Sequence, residues 1–183
     1  IHLDGARLFN AAVALNLKVE DLTRQVDSVM FCLSKGLSAP VGSLVCGSGE
    51  FIKRARKFRK MVGGGMRQAG HLAAAGLVAL ESLVDRLKDD HLHAKVLADK
   101  LASTKGVELD QNGVKSNIIF FKMNHPHIDG DQFLNQLEEK SIKILMTDPG
   151  VFRAVLHREI SKDQVETVAH AIDSILNAEG ATK

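Results

Sequence analysis

Val26-Asp27-Ser28-Val29-Met30-Phe31-Cys32-Leu33-Ser34-Lys35-Gly36 is an apolar run that ends on a lysine set between two small residues. Residues 26–33, rich in Val, Phe and Met, suit a strand buried on both faces of a sheet. Open α/β sheets bind their ligands just beyond the carboxyl ends of such strands, so Lys35 stands where a bound molecule is expected. Ser34 and Gly36 leave room for a bulky group to reach it. A lysine so placed can lose its proton and attack a carbonyl to form an imine. An isolated loop lysine is more often a plain surface residue, and its neighbours have to decide between the two.

Upstream, Ile1-His2-Leu3 reads as the end of a strand already in progress, with Asp4-Gly5 as the turn after it. The chain is therefore expected to be the C-terminal portion of a longer protein. It would need an upstream segment of that protein as a partner, and without one residues 26–33 would lie at an exposed apolar edge. A helix is expected over 7–15, with Leu8, Ala11, Ala12 and Leu15 on one face. Asp4 and Lys35 are 31 positions apart, room for one helix and one strand, so both can stand on the same rim of a sheet.

Downstream, residues 41–46 form another short apolar strand closed by Gly47-Ser48-Gly49. A basic helix covers 50–61 and ends at Gly63-Gly64-Gly65. A long helix is expected over 66–103, with Leu77, Leu80, Val84 and Leu87 on its apolar face and Gly106 as its stop. The texture then shortens: strands at 107–109, 117–122, 142–145 and 152–156, and a helix at 131–140. Ser161 and Gln164 make a capping box for a last helix, in which Val165, Val168, Ile172 and Ile175 face inward. The boundary falls near 85–90. The chain thus reads as α/β, with 1–88 belonging to a large, mainly parallel sheet domain and 89–183 forming a small C-terminal α/β domain.

The 183 residues are 45% hydrophobic, enough for one large core or two small ones. A net charge of +2, from 24 Lys+Arg against 22 Asp+Glu, names no polyanionic partner. The basic run of Lys53, Arg54, Arg56, Lys57, Arg59 and Lys60 has only Phe51 and Phe58 for aromatic company. It reads as a solvated helix face or a subunit contact, and no nucleic acid is expected. No membrane span is expected either. Cys32 and Cys46 make no disulfide framework and read as reduced, buried residues of an intracellular protein. His91 and His93, like His125 and His127, read as surface histidines, so no metal site is expected. His71 and His157 divide evenly between structural and functional roles.

Three motifs in order narrow the reading. They are His2-Leu3-Asp4-Gly5-Ala6-Arg7; Ser34-Lys35-Gly36-Leu37 with Pro40-Val41-Gly42-Ser43; and Arg59-Lys60-Met61-Val62-Gly63-Gly64-Gly65-Met66-Arg67-Gln68. Together with Ala73-Ala74-Ala75-Gly76, Arg153 and His157 they resemble the threonine aldolases of the low-specificity or L-allo-threonine type. The resemblance implies the aminotransferase-like fold, fold type I, of pyridoxal-phosphate enzymes. It makes Lys35 the Schiff-base lysine and Asp4 the partner of the pyridine nitrogen, with Arg7 at the phenolic oxygen. Arg67 and Lys60 would lie near the cofactor phosphate, across a subunit interface, and Arg153 would hold the substrate carboxylate.

The chemistry agrees with those assignments. A carboxylate at the ring nitrogen keeps the ring able to accept electrons, and a guanidinium grips a carboxylate in bidentate fashion. The implied reaction cleaves threonine or allo-threonine to glycine and an aldehyde, in a cytoplasmic homo-oligomer, dimer or tetramer. The family's glycine-rich phosphate loop and ring-stacking histidine are expected in an upstream half, and Gly63-Gly64-Gly65 is not that loop, since it follows a helix rather than a strand. Two alternatives stay open: another enzyme of this fold, an aminotransferase or β-eliminating lyase, or a non-catalytic structural half or homologue.

Overall fold

A computed structural model describes residues 1–177. The chain divides into two compact units, Ile1–Lys88 and Asp89–Lys183. No described helix is long and apolar enough to cross a membrane.

The first unit holds strands β1 (His2–Asp4), β2 (Ser28–Cys32) and β3 (Ser43–Gly47) in the order β1-β2-β3. β1 and β2 are parallel, and β2 and β3 are antiparallel. Around them lie helices α1 (Leu8–Leu15), α2 (Val19–Thr23), α3 (Gly49–Met61) and α4 (Gly70–Ser82). The core gathers Leu8, Phe31, Leu33, Leu37, Ala79 and Leu87, with Phe9 edge-on to Phe31 at 5.2 Å. Gly76 lets α4 close on the sheet, because a Cβ there would stand 3.0 Å from a Leu33 methyl.

Several local expectations are corrected here. β2 is the central strand, not an exposed edge; the edges are β1 and β3, and β3 is exposed along its length. Cys46, on β3, is exposed and Cys32 half-buried, so neither is the buried thiol expected. In α1, Leu8, Asn10 and Ala12 are buried while Ala11 and Leu15 face solvent. The long helix is two: α4 ends at Ser82, and α5 (Leu87–Leu101) begins after a turn. Ser82 and Asp85 explain the break, since short polar side chains compete for backbone hydrogen bonds. Asp89 and Asp90 in the first turn of α5 favour a fresh start there. Leu77 is exposed, and the inward face of α4 runs through Gly76, Ala79 and Leu80.

The second unit is a four-stranded antiparallel sheet of β4 (Val107–Glu108), β5 (Ile118–Met123), β6 (Leu145–Asp148) and β7 (Val151–Val155), in the order β4-β5-β7-β6. It packs with α5, α6 (Gly130–Glu139) and α7 (Lys162–Asn177) around one core. Phe152 lies at that core's centre, 5.5 Å from Phe121 and 5.0 Å from Phe133 between ring centroids. The capping box of α7 forms: the Gln164 N–H donates to Ser161 Oγ, and the Ser161 N–H donates back to Gln164 Oε1 at 2.8 Å. A second box, Asp129 with Gln132, starts α6. The strand expected at 142–145 begins at Leu145 instead. Ile142 is spent closing α6, its N–H donating to Leu137 O at 2.9 Å, and Ile144 packs on the core from irregular backbone.

Candidate active site

The parallel pairing sets Leu3 beside Val29 and Asp4 beside Met30, so β1 and β2 open their carboxyl ends on the same edge. Asp4 is the last residue of β1, and Lys35 lies three residues beyond the end of β2. Past Asp4 the chain still follows β2, with Gly5 N–H donating to Met30 O at 2.9 Å and Cys32 N–H to Ala6 O at 3.4 Å. Position 5 must be glycine for this. A Cβ there would stand 2.8 Å from Met30 O, which is backbone and cannot rotate away. The Asp4 carboxylate is exposed, and its Oδ1 accepts the Ala6 N–H at 3.2 Å, which fixes the group's direction.

Lys35 stands on a tied loop. Leu33 and Ser34 N–H both donate to Gly42 O, at 2.9 and 3.3 Å; Ala39 N–H donates to Leu33 O at 3.0 Å and Ser38 N–H to Lys35 O at 2.9 Å. Leu37 and Ala39 are buried beneath it. Gly36 is pressed on α1, where a Cβ would meet Asn10 Oδ1 at 2.6 Å and Leu87 Cδ2 at 3.0 Å. The backbone is thus held while the Lys35 side chain is exposed. Asn10, buried at 3% exposure, lies against Gly36 beneath the lysine loop, a contact that sequence reasoning missed. Its signal was a polar residue within the apolar helix 8–15, one that meets the glycine after the lysine.

Arg7 is half-buried at the head of α1. It shares with Asp4 a concavity of about 380 Å³ floored by Leu3, Leu8, Ala11 and Leu22. Lys60 sits exposed in the last turn of α3, its Nζ 3.8 Å from where a Gly65 Cβ would be, and Arg67 is exposed on the bend before α4. α3 buries no residue, and Phe58, Met61, Val62 and Met66 beside these cations are exposed. Arg153 belongs to the second unit, half-buried on β7 between Phe120 of β5 and Leu145 of β6. Asp4, Arg7 and Lys35 therefore share one unit and one region of it, with Lys60 and Arg67 on a separate segment and Arg153 on the other unit.

Among the histidines, His2 pairs through Nδ1 with the Ser28 hydroxyl at 2.8 Å, while His71 and His157 are exposed. Among the described residues no cluster of three or more His, Cys, Asp or Glu could hold a metal ion. The donor set is instead a primary amine, a carboxylate and guanidinium groups. It fits an aldehyde-bearing, anionic heterocycle: the amine for the carbonyl carbon, the carboxylate for a protonated ring nitrogen, the cations for oxyanions.

Comparison with known proteins bears on this set. The family model described as Beta-eliminating lyase matches residues 1–124. The low-specificity L-threonine aldolase 1 of Arabidopsis thaliana is 43% identical over 166 residues, 90% of this chain and 46% of that protein. The chain thus spans about half the length of the curated relatives it matches. A threonine aldolase structure from Leishmania major superposes with a TM-score of 0.71 at 18% identity, covering 96% of this chain and 51% of that one. The structure of an enzyme abbreviated SPT, solved with a PLP internal aldimine, gives 0.67 at 18% identity over 87% of this chain and 42% of that one. Those similarities establish the fold: the two units together are about half of an aminotransferase-like chain.

Proposed function

Because the chain belongs to the β-eliminating lyase family, we propose that it is the lysine-bearing portion of a pyridoxal-phosphate-dependent aldolase that cleaves threonine or allo-threonine to glycine and acetaldehyde. The observation that carries this reading is that Asp4 and Lys35 both follow the carboxyl ends of the parallel strands β1 and β2, the lysine on a tied loop and the carboxylate oriented by Ala6. The names of the relatives support the choice of substrate.

When bound, pyridoxal phosphate supplies an electron sink conjugated to the substrate Cα. Lys35 would hold the cofactor through its amine, the group whose chemistry suits a carbonyl carbon. Asp4 would face the ring nitrogen and Arg7 the phenolic oxygen. Arg67 and Lys60 would offer positive charge to the phosphate. Arg153 takes the substrate carboxylate in its planar fork, which fixes the direction of the Cα–Cβ bond. The β-hydroxyl proton leaves, Cα–Cβ breaks, the aldehyde departs, and a proton returned to Cα completes glycine. The half-buried or exposed state of every one of these polar groups suits direct contact with a ligand.

The exposed apolar residues beside Lys60 and Arg67 suit packing against another copy, and a homo-oligomer, dimer or tetramer, is part of this reading. Domain roles follow: residues 1–88 contribute to the cofactor domain and 89–183 form the small domain. A cytoplasmic location belongs to the same proposal.

The test is to reduce the full-length enzyme with borohydride, digest it and identify the labelled peptide, with a product assay on threonine in parallel. Pyridoxyl on Lys35 and release of glycine with acetaldehyde are expected. Label on another lysine would remove the Lys35 assignment, and ammonia with 2-oxobutyrate would turn the reaction into β-elimination.

A further inference from the structure

Resting on Arg153 as the carboxylate clamp, we propose that Phe120 and Leu145 are its positioning residues. They flank the guanidinium and shield it from water, and so set the strength of the grip on the substrate.

The antiparallel ladders pair Phe120 with Arg153 on one side and Leu145 with Arg153 on the other. Directly opposed side chains on one face of such a pair have Cβ atoms about 4.5–5.5 Å apart. Phe120 and Leu145 are 53% and 55% exposed, although large apolar side chains are the ones folding most favours burying. Packing of the unit does not account for them. The opposite face of the same strands is filled by Ile119, Phe121, Phe152 and Ala154, all buried.

The Arg153 side chain makes no hydrogen bond or ion pair among the described residues. On the same open face Val155 pairs with Ile118, both half-buried, while Val151 pairs with Lys122 on one side and Asp148 on the other, and neither charge makes an ion pair with Arg153. A guanidinium with no internal carboxylate, standing between a phenyl ring and an isobutyl group, is arranged for a carboxylate from outside.

Each flank has a distinct effect. An aliphatic stem lies along apolar neighbours while its charged head stays free, so the two side chains limit sideways swing. The phenyl group, directly opposite Arg153 in the ladder, adds apolar surface on one side of the arginine stem. Both exclude water from one side of the head, and a hydrogen-bonded ion pair strengthens as local solvent is lost. An arginine held this way loses less side-chain entropy when the carboxylate arrives.

The experiment is a double-mutant cycle in the full-length enzyme. KM and kcat for threonine are measured for Phe120→Ala and Leu145→Ala, each with Arg153 and with Arg153→Ala, and cofactor absorbance reports that the site is loaded. Both flanking residues are solvent-exposed, so truncation leaves the core intact. With Arg153 present, Phe120→Ala should raise KM about tenfold and Leu145→Ala about threefold, with kcat changed less than about twofold. With Arg153→Ala, neither truncation should change KM further. Unchanged KM in both truncations overturns the proposal, as does an equal rise in the two backgrounds, which would make the residues direct substrate contacts or simple scaffold. An Arg153→Ala variant that keeps the parent KM would instead remove the clamp on which the proposal stands.

Discussion

Gly5→Ala tests the geometry of the site without touching any group assigned to chemistry. The added Cβ would stand 2.8 Å from Met30 O, 3.2 Å from Leu8 Cβ and 3.3 Å from Val29 Cγ2, whereas ordinary contact begins at 3.4 Å. The nearest atom is main chain in the central strand, so relief requires β1 and β2 to part by roughly 0.6 Å at the end that carries Asp4. The Gly5 N–H bond to Met30 O, 2.9 Å long, lengthens with it. Overpacking of this kind costs about 1–3 kcal/mol in stability. If Asp4 and Lys35 act as proposed, a sub-ångström shift of one relative to the other costs on the order of tenfold or more in turnover. The measurements are chemical denaturation and steady-state threonine cleavage by the full-length enzyme. Gly49→Ala is the control, because a Cβ there meets nothing within 4 Å. Gly49→Ala should stay within about 0.5 kcal/mol of the parent. A Gly5→Ala enzyme of parental stability and turnover would refute the reasoning that β1 and β2 are held at contact distance to set the site.

Asp4→Asn preserves size and removes charge, so the cofactor should remain bound while turnover falls by about 10²–10³-fold; near-parental turnover would leave Asp4 as a turn former. His91 sets a pH dependence: burial holds its imidazole below the ordinary value of 6.5, against an opposing pull from the Asp90 carboxylate. The unfolded chain therefore takes the proton first, and stability is lost as pH falls through 6.5 towards the depressed folded value. His91→Gln should flatten the drop in denaturation midpoint between pH 7.5 and 5.5, and an identical drop in both proteins would exclude the residue.

Strand and helix placement was legible where the pattern is periodic and the punctuation strong. Ser161 with Gln164 gave the start of α7, and Val165 through Ile175 its inward face, because a capping box and an apolar stripe act through local backbone alone. The break between α4 and α5 was hidden, since Leu80, Val84 and Leu87 keep helical spacing straight across it. The inward side of α1 was misread because Ala11 and Ala12 are indistinguishable by hydropathy, and tertiary packing chose the face that carries Asn10. Strand ends and spacing put Lys35 and Asp4 on one rim, and the structure places Asp4 at the end of β1 and Lys35 three residues past the end of the parallel β2. What no sequence pattern announced was Asn10 against Gly36 or Phe120 and Leu145 beside Arg153. Those are adjacencies across elements, fixed by helix rotation and strand register rather than by neighbouring residues.

Val151-Phe152-Arg153-Ala154-Val155 has one more consequence. Side chains alternate along β7, so sliding the strand by a single residue against β5 would turn every one of them over. Phe152 would leave the centre of the core for solvent, and the Arg153 cation would be thrust into the space it vacated, where an unpaired charge is costly by several kcal/mol. The arginine thereby proofreads the pairing of its own sheet. A nascent chain that mispairs this ladder is destabilised at once through both residues, so a folded small unit carries Arg153 outward.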